Sequence, residues 1–273
     1  MPRAAEPDPP GIPELPPGLV GSASPHAGLT YRALRILWLA LGWALRLSIV
    51  VEGREHLPLT ARGRPAGGWI AAGIPHRTWI DPFLVWAILP EQPRLVFFGD
   101  ARTMARSPLR RWAVRRIGGI LPIPSHGGPR SFAIHLAAAA DALGRGAVFC
   151  LVPEAGAPAP PGTARRVAAG LGYIAIRSEA PVVPIVIGGN DELFLGRRIV
   201  VRILPSVSAR ELAGVAPGAP LPGAGSGDER DAAHRAAAAF QALTADAVAE
   251  AHRAAEAPAG TRKRGAWLTT LFR

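Results

Sequence analysis

The chain has 273 residues, 49% of them hydrophobic, and a formal net charge of +11 at neutral pH. That length suits a single core-forming domain with accessory segments, and the charge favours acidic partners such as anionic lipid headgroups, phosphorylated cofactors, acidic carrier proteins or nucleic acid. The single cysteine excludes a disulfide framework or a paired-cysteine metal site, and the seven histidines show no metal-ligand spacing, so no metal is expected.

Residues 1–30 are Pro-rich and carry acids where a secretory signal would have basic and then apolar residues, so they read as a disordered tail. Residues 31–53, YRALRILWLALGWALRLSIVVEG, contain an apolar run from Ile36 to Leu45 that stops at Arg46. It is well short of the ~20 residues needed to cross a bilayer. Arg32, Arg35 and Arg46 flank Trp38 and Trp43, which suits a helix lying in the membrane interface with its cations on headgroups. A buried core helix is the other reading of the same run.

From Trp69 onward, short β-like runs alternate with segments that can be helical. The β runs are WIAAGI, RLVFFGD, GILPI, AVFCLVP, PVVPIVIGG and RRIVVRILP; the helical stretches lie around 81–90, 106–117, 130–145 and 165–179. Such alternation predicts an α/β layered domain over 54–210, with a largely parallel central sheet flanked by helices. The continuous apolar character of the strands fits a sheet covered on both faces. Cys150, inside AVFCLVP, reads as a small core thiol. Residues 211–230 read as a Pro/Gly linker. Residues 231–273 read as an Ala-rich helix and a basic tail with Trp267, Leu268, Leu271 and Phe272, either a second membrane-surface contact or a solvated end.

Within AGIPHRTWIDPFL, His76 follows a candidate strand and Asp81 precedes Pro82 at a candidate helix start. Two roles are open to Asp81. As an N-cap it would accept backbone N–H groups of the helix that Pro82 begins. As an orienting carboxylate it would hold the tautomer of a neutral imidazole that accepts a proton near pH 7. No G-x-S-x-G elbow occurs in the chain, which disfavours a covalent serine hydrolase. A base without its own nucleophile fits direct attack by a substrate hydroxyl on an activated acyl group.

The order VEGREHLP, HRTWID, RWAVRRIGGILPIPS, AVFCLVPEAG, APVVPIVIGG resembles the glycerolipid acyltransferase family, whose best-known members are lysophosphatidic acid acyltransferases, over about residues 31–205. The resemblance implies an α/β core docked on a membrane. It implies acyl-CoA or acyl-carrier protein as the donor co-substrate, a lipid hydroxyl as acceptor, and neither a prosthetic group nor a metal. It makes His76 the base and Asp81 its partner, and gives Glu154 a part in binding or orienting the acceptor. Gly156 and Ser125 fall at acceptor-binding positions of the family's third and second blocks. The chain departs from the family there. Ala155-Gly156-Ala157-Pro158 stands in place of Gly-Thr-Arg after the glutamate, and the second block ends at Ser125 rather than at arginine. Bidentate pairing with phosphate is arginine chemistry that serine and alanine cannot reproduce. Arg130, Arg165 or Arg166 would have to supply it, or the acceptor carries no simple glycerol phosphate. Arg111, Arg115 and Arg116 lie at helical spacing and would suit coenzyme phosphates or an acidic carrier protein.

The expected function is therefore an O-acyltransferase, peripheral or monotopic on the cytoplasmic face of the plasma membrane, with anionic lipids as a partner surface. A non-catalytic lipid-surface binding protein on the same scaffold is the alternative. Nucleic acid is not an expected partner, because the arginines are dispersed and the tryptophans cluster with apolar residues.

Overall fold

The structure, a computed structural model, describes residues 26–100, 119–123, 129–258 and 260–272. The predicted helix around 106–117, with Arg111, Arg115 and Arg116, lies outside the described residues, as does most of the N-terminal tail.

Helix α1 (Leu29–Ala44) leads into strand β1 (Ser48–Glu52) and a short 3-10 turn at Arg54–His56. Strand β2 (Trp69–Ile74), helix α2 (Asp81–Ile88), and strands β3 (Leu95–Asp100) and β4 (Ile120–Ile123) follow. Next come α3 (Pro129–Gly144), β5 (Val148–Leu151) and a small hairpin of β6 (Glu154–Ala155) and β7 (Arg166–Val167). The chain ends with α4 (Gly170–Ser178), β8 (Val182–Gly188), β9 (Arg198–Ile203), α5 (Ala209–Ala213), α6 (Gly227–Ala255) and α7 (Leu268–Phe272).

Seven strands form one sheet in the order β1-β9-β8-β2-β5-β3-β4. Every neighbouring pair is parallel except β8 with β9, so the predicted largely parallel sheet is observed. The strand period of two sends Ile70, Ala72 and Ile74 into the layer with α3, α4, α5 and α6. Trp69 and Ala71 point the other way, into the layer with α1 and α2. Both faces are covered, which is why β2 and β8 are buried along their whole length.

Two sequence expectations need correction. Residues 31–53 are not one helix: α1 ends at Ala44, and SIVVE forms an edge strand paired with β9. The β-branched Ile49, Val50 and Val51 favour that extended pairing. The linker expected over 211–230 is shorter as well. Ser226 caps α6 by accepting the Glu229 N–H, so the last linker residues already belong to a 29-residue helix. That helix is part of the domain core, with Ala232, Ala233, Ala236, Ala237, Phe240, Val248, Ala251 and Ala255 buried at helical spacing. Its small residues let backbones come close. A Cβ on Gly172 of α4 would sit 2.3 Å from the Ala233 carbonyl oxygen, and one on Gly188 would sit 2.1 Å from that of Ala251.

The inward stripe of α1 runs through Tyr31, Leu34, Arg35, Trp38, Gly42 and Leu45. Arg35 does not reach outward as the interfacial reading expected. Its guanidinium donates to the carbonyls of Ala87 and Leu89 at 3.0 and 2.7 Å, satisfying the C-terminal end of α2. Trp38 also turns inward and donates Nε1–H to the Phe83 carbonyl at 3.0 Å. Arg32 pairs with Glu91. The opposite face of α1 leaves Leu29, Ile36, Leu37, Leu39 and Trp43 exposed. Among the described residues, no helix is long and apolar enough to cross a membrane.

Candidate active site

Strands β8, β2 and β5 are adjacent and parallel at the centre of the sheet. Just beyond their carboxyl ends lie Asn190, His76 and Glu154. That edge is where open parallel sheets place their ligands, because the loops there diverge from a rigid base.

His76 Nδ1 is 2.9 Å from Asp81 Oδ2. The ring's Nε2 is therefore the nitrogen directed away from the carboxylate, on a side chain 37% exposed. Asp81 itself is 1% exposed. A buried carboxylate is stable only when its lone pairs are engaged, and here five donors converge on it. Oδ2 also accepts the N–H groups of Arg77 at 2.6 Å and Thr78 at 2.8 Å. Oδ1 accepts the Thr78 hydroxyl at 2.9 Å and the Asn190 amide at 3.0 Å.

The choice between capping and orienting resolves in an unexpected way. The N-cap of α2 is Ile80 with no side-chain cap, and Asp81 is the first helical residue, ahead of Pro82. Its carboxylate turns back onto the preceding HRT segment instead of capping its own helix. Pro82 leaves one fewer N–H to satisfy at that end.

Glu154 fixes the same loop from the other side. Oε2 accepts the His76 N–H at 2.7 Å, and Oε1 accepts the Arg165 N–H at 2.8 Å. One carboxylate thus ties the histidine backbone to the hairpin of β6 and β7. Burial pushes its pKa above the usual carboxylate value, opposed by those two N–H bonds and by the charges of Arg77 and Arg165. Arg77 is spent on the intervening loop, where its guanidinium donates to the carbonyls of Ala159, Pro160 and Thr163. It is held by the protein rather than presented to a ligand.

The other sequence candidates fall in three places. Gly156 is exposed with φ +94° just past Glu154. Arg166 is exposed and lies opposite Ala155 in the β6–β7 register, so the hairpin brings an arginine beside the position that follows the glutamate. Ser125 and the side chain of Arg130 lie outside the described residues; Arg130 itself is in the first turn of α3. Sequence reasoning missed Thr78, the loop-holding role of Arg77, and Asn190. A polar residue directly after a strand-end Gly188-Gly189 carries the same signal that marked His76 after β2, but its partner is 109 residues away. Among the described residues no cluster of histidine, cysteine, aspartate and glutamate could hold a metal ion.

An imidazole paired with a buried carboxylate thus sits at the carboxyl edge of a largely parallel sheet, in a layered α/β domain. The chain belongs to the acyltransferase family, whose pattern residues 48–188 match, just over half of its length. It is an acyltransferase enzyme. Its fold is similar to that of the 1-acyl-sn-glycerophosphate (LPA) acyltransferase PlsC from Thermotoga maritima, with a TM-score of 0.56 and 19% identity. That similarity covers 81% of this chain and 78% of the other. No curated protein matches the chain in sequence.

Proposed function

We propose that the enzyme moves a fatty acyl group from acyl-CoA or acyl-carrier protein to a hydroxyl of a lysophospholipid or related glycerolipid at a membrane surface. The observation that carries the mechanism is the 2.9 Å contact between His76 Nδ1 and the buried Asp81 carboxylate. With Nδ1–H donated to Asp81, Nε2 bears the lone pair and takes the proton from the acceptor hydroxyl as its oxygen attacks the thioester carbonyl. Asp81 stabilises the imidazolium formed in that step. When the tetrahedral intermediate collapses, the carbon–sulfur bond breaks and the imidazolium returns the proton to the leaving thiolate. The products are an ester and a free thiol, and the histidine is restored.

The acceptor reading rests on charge. Arg77 is engaged by three carbonyls, and neither Ala157 nor Ser125, which stand where the family has arginine, is cationic. Arg166, opposite Ala155, and its neighbour Arg165 are the hairpin's cations beside Glu154. Arg166 is exposed, as a phosphate ligand must be before substrate arrives.

The test is acyl transfer from labelled acyl-CoA and acyl-carrier protein to a panel of lysolipids, phosphorylated and not. His76→Ala should lose at least about a thousandfold in kcat with an unchanged fold. Asp81→Asn should be severely impaired as well. Full turnover by folded His76→Ala would reject the mechanism. Product only from unphosphorylated acceptors would reject phosphate recognition by the hairpin arginines.

A further inference from the structure

Five donors hold the Asp81 carboxylate, and four of them come from its own neighbourhood, residues 76–78. Asn190 is the exception. It reaches in from the loop after β8 and is 1% exposed. Its Nδ2 donates to Asp81 Oδ1 at 3.0 Å and to the Pro75 carbonyl at 2.9 Å. The two amide hydrogens thus bridge the residue before His76 and the carboxylate behind it, spanning the whole H-x4-D turn.

We infer that Asn190 is a positioning residue of this active site, the strut that fixes the His76–Asp81 pair to the central sheet. The inference rests on the acyl-transfer reading above. Without Asn190, the contacts among residues 76–81 could be kept while that turn tilts as a unit relative to β8. With it, the turn is referenced to a second strand, as a base needs when small misplacements are costly.

The loop carrying Asn190 is itself braced. Arg197 Nε donates to the Gly189 carbonyl at 2.9 Å, and its guanidinium lies 3.5 Å from Asp191. Thr269 of α7 accepts the Leu193 N–H at 2.8 Å and donates to the Leu193 carbonyl at 3.1 Å. Gly196 donates to the carbonyl of Leu45 at the end of α1. Gly189 has φ +87°, and a Cβ there would lie 2.5 Å from the Arg198 carbonyl oxygen, so the turn into Asn190 requires glycine. The amide is thus aimed at Asp81 by the fold of this loop.

The experiment compares kcat, KM and Tm for the wild type, His76→Ala, Asn190→Ala, Asn190→Ser and Gly172→Ala. Asn190→Ala should lower kcat about 10- to 100-fold, the value of a hydrogen bond to a charged group, with KM within about twofold. Asn190→Ser keeps one donor and should fall between it and the wild type. Gly172→Ala loses stability at the contact with Ala233 of α6, in which no site residue takes part, and should keep wild-type kcat at assay temperature. Wild-type kcat in either folded Asn190 variant overturns the inference. So does a kcat loss that merely tracks Tm, shown by an equal loss in Gly172→Ala. Wild-type turnover by His76→Ala would instead overturn the acyl-transfer reading.

Discussion

At the scale of single residues, Glu154 shows how one carboxylate can tie two loops together through their backbones. Its two oxygens accept two backbone N–H groups, from His76 and Arg165. A carboxamide offers one oxygen and one amino group, so Glu154→Gln sets a donor against one of those N–H groups. The variant should lose about 1–3 kcal/mol of stability at neutral pH and turn over more slowly, because the His76 backbone is released. A pH series separates the charge from the hydrogen bonds. Burial raises the folded-state pKa of Glu154 above the ordinary carboxylate value, so the folded state binds more protons than the unfolded chain in that window. Stability from this group is present at acid pH and is lost as pH rises through the raised pKa. Glutamine does not titrate, so the wild type's advantage in Tm should shrink as pH climbs from about 4 and then level off. An advantage that grew with pH would show that hydrogen bonding to the charged form outweighs desolvation.

At the scale of elements, the central strands were legible because apolar runs bounded by glycine, proline or charge leave little choice of state. WIAAGI became β2 and the core of PVVPIVIGG became β8. Cys150 is buried in β5, its thiol pushed up to about 12 by desolvation. The errors came where local pattern competes with tertiary context. The apolar run stops at Arg46 and resumes at Leu47, and one arginine does not by itself tell a chain break from a polar position on a longer helix. Within the H-x4-D turn, Asp81 and Pro82 carry a strong helix-start signal, yet the carboxylate serves the preceding loop. Asn190 carried the strand-end signal but no visible partner, because Asp81 is brought to it only when β2 and β8 pair. Element packing gives its own prediction. The contact of α4 with α6 depends on Gly172, where a Cβ would lie 2.6 Å from the Ala233 Cα as well as 2.3 Å from its carbonyl oxygen. Both obstacles are backbone, so neither can rotate away. The helix-propensity gain of Gly172→Ala, about 1 kcal/mol, should be outweighed by overpacking, for a net loss of about 1–3 kcal/mol in denaturant unfolding. A more stable variant would mean the helices can separate at little cost.

At the scale of the whole molecule, charge and exposed apolar surface act over different ranges. The net charge of +11 draws the protein toward anionic surfaces but is screened over about 8 Å at physiological salt. The outer face of α1, with Ile36, Leu37 and Trp43 at 67%, 64% and 82% exposure, acts only on contact, and salt does not weaken it. With 16 residues, α1 is about 24 Å long, too short to span a bilayer but suited to lie in its surface. Its inner face packs through Trp38 on α2, whose first residue is Asp81, so a membrane under α1 would lie one helix layer from the His76–Asp81 pair. Co-sedimentation with vesicles, with and without anionic lipid, should separate the two contributions. Ile36→Ser/Leu37→Ser/Trp43→Ser should still bind anionic vesicles at low salt and release them as salt rises. The wild type should keep a salt-resistant fraction on both vesicle types. If the triple variant binds as the wild type does at every salt concentration, α1 is not the membrane contact.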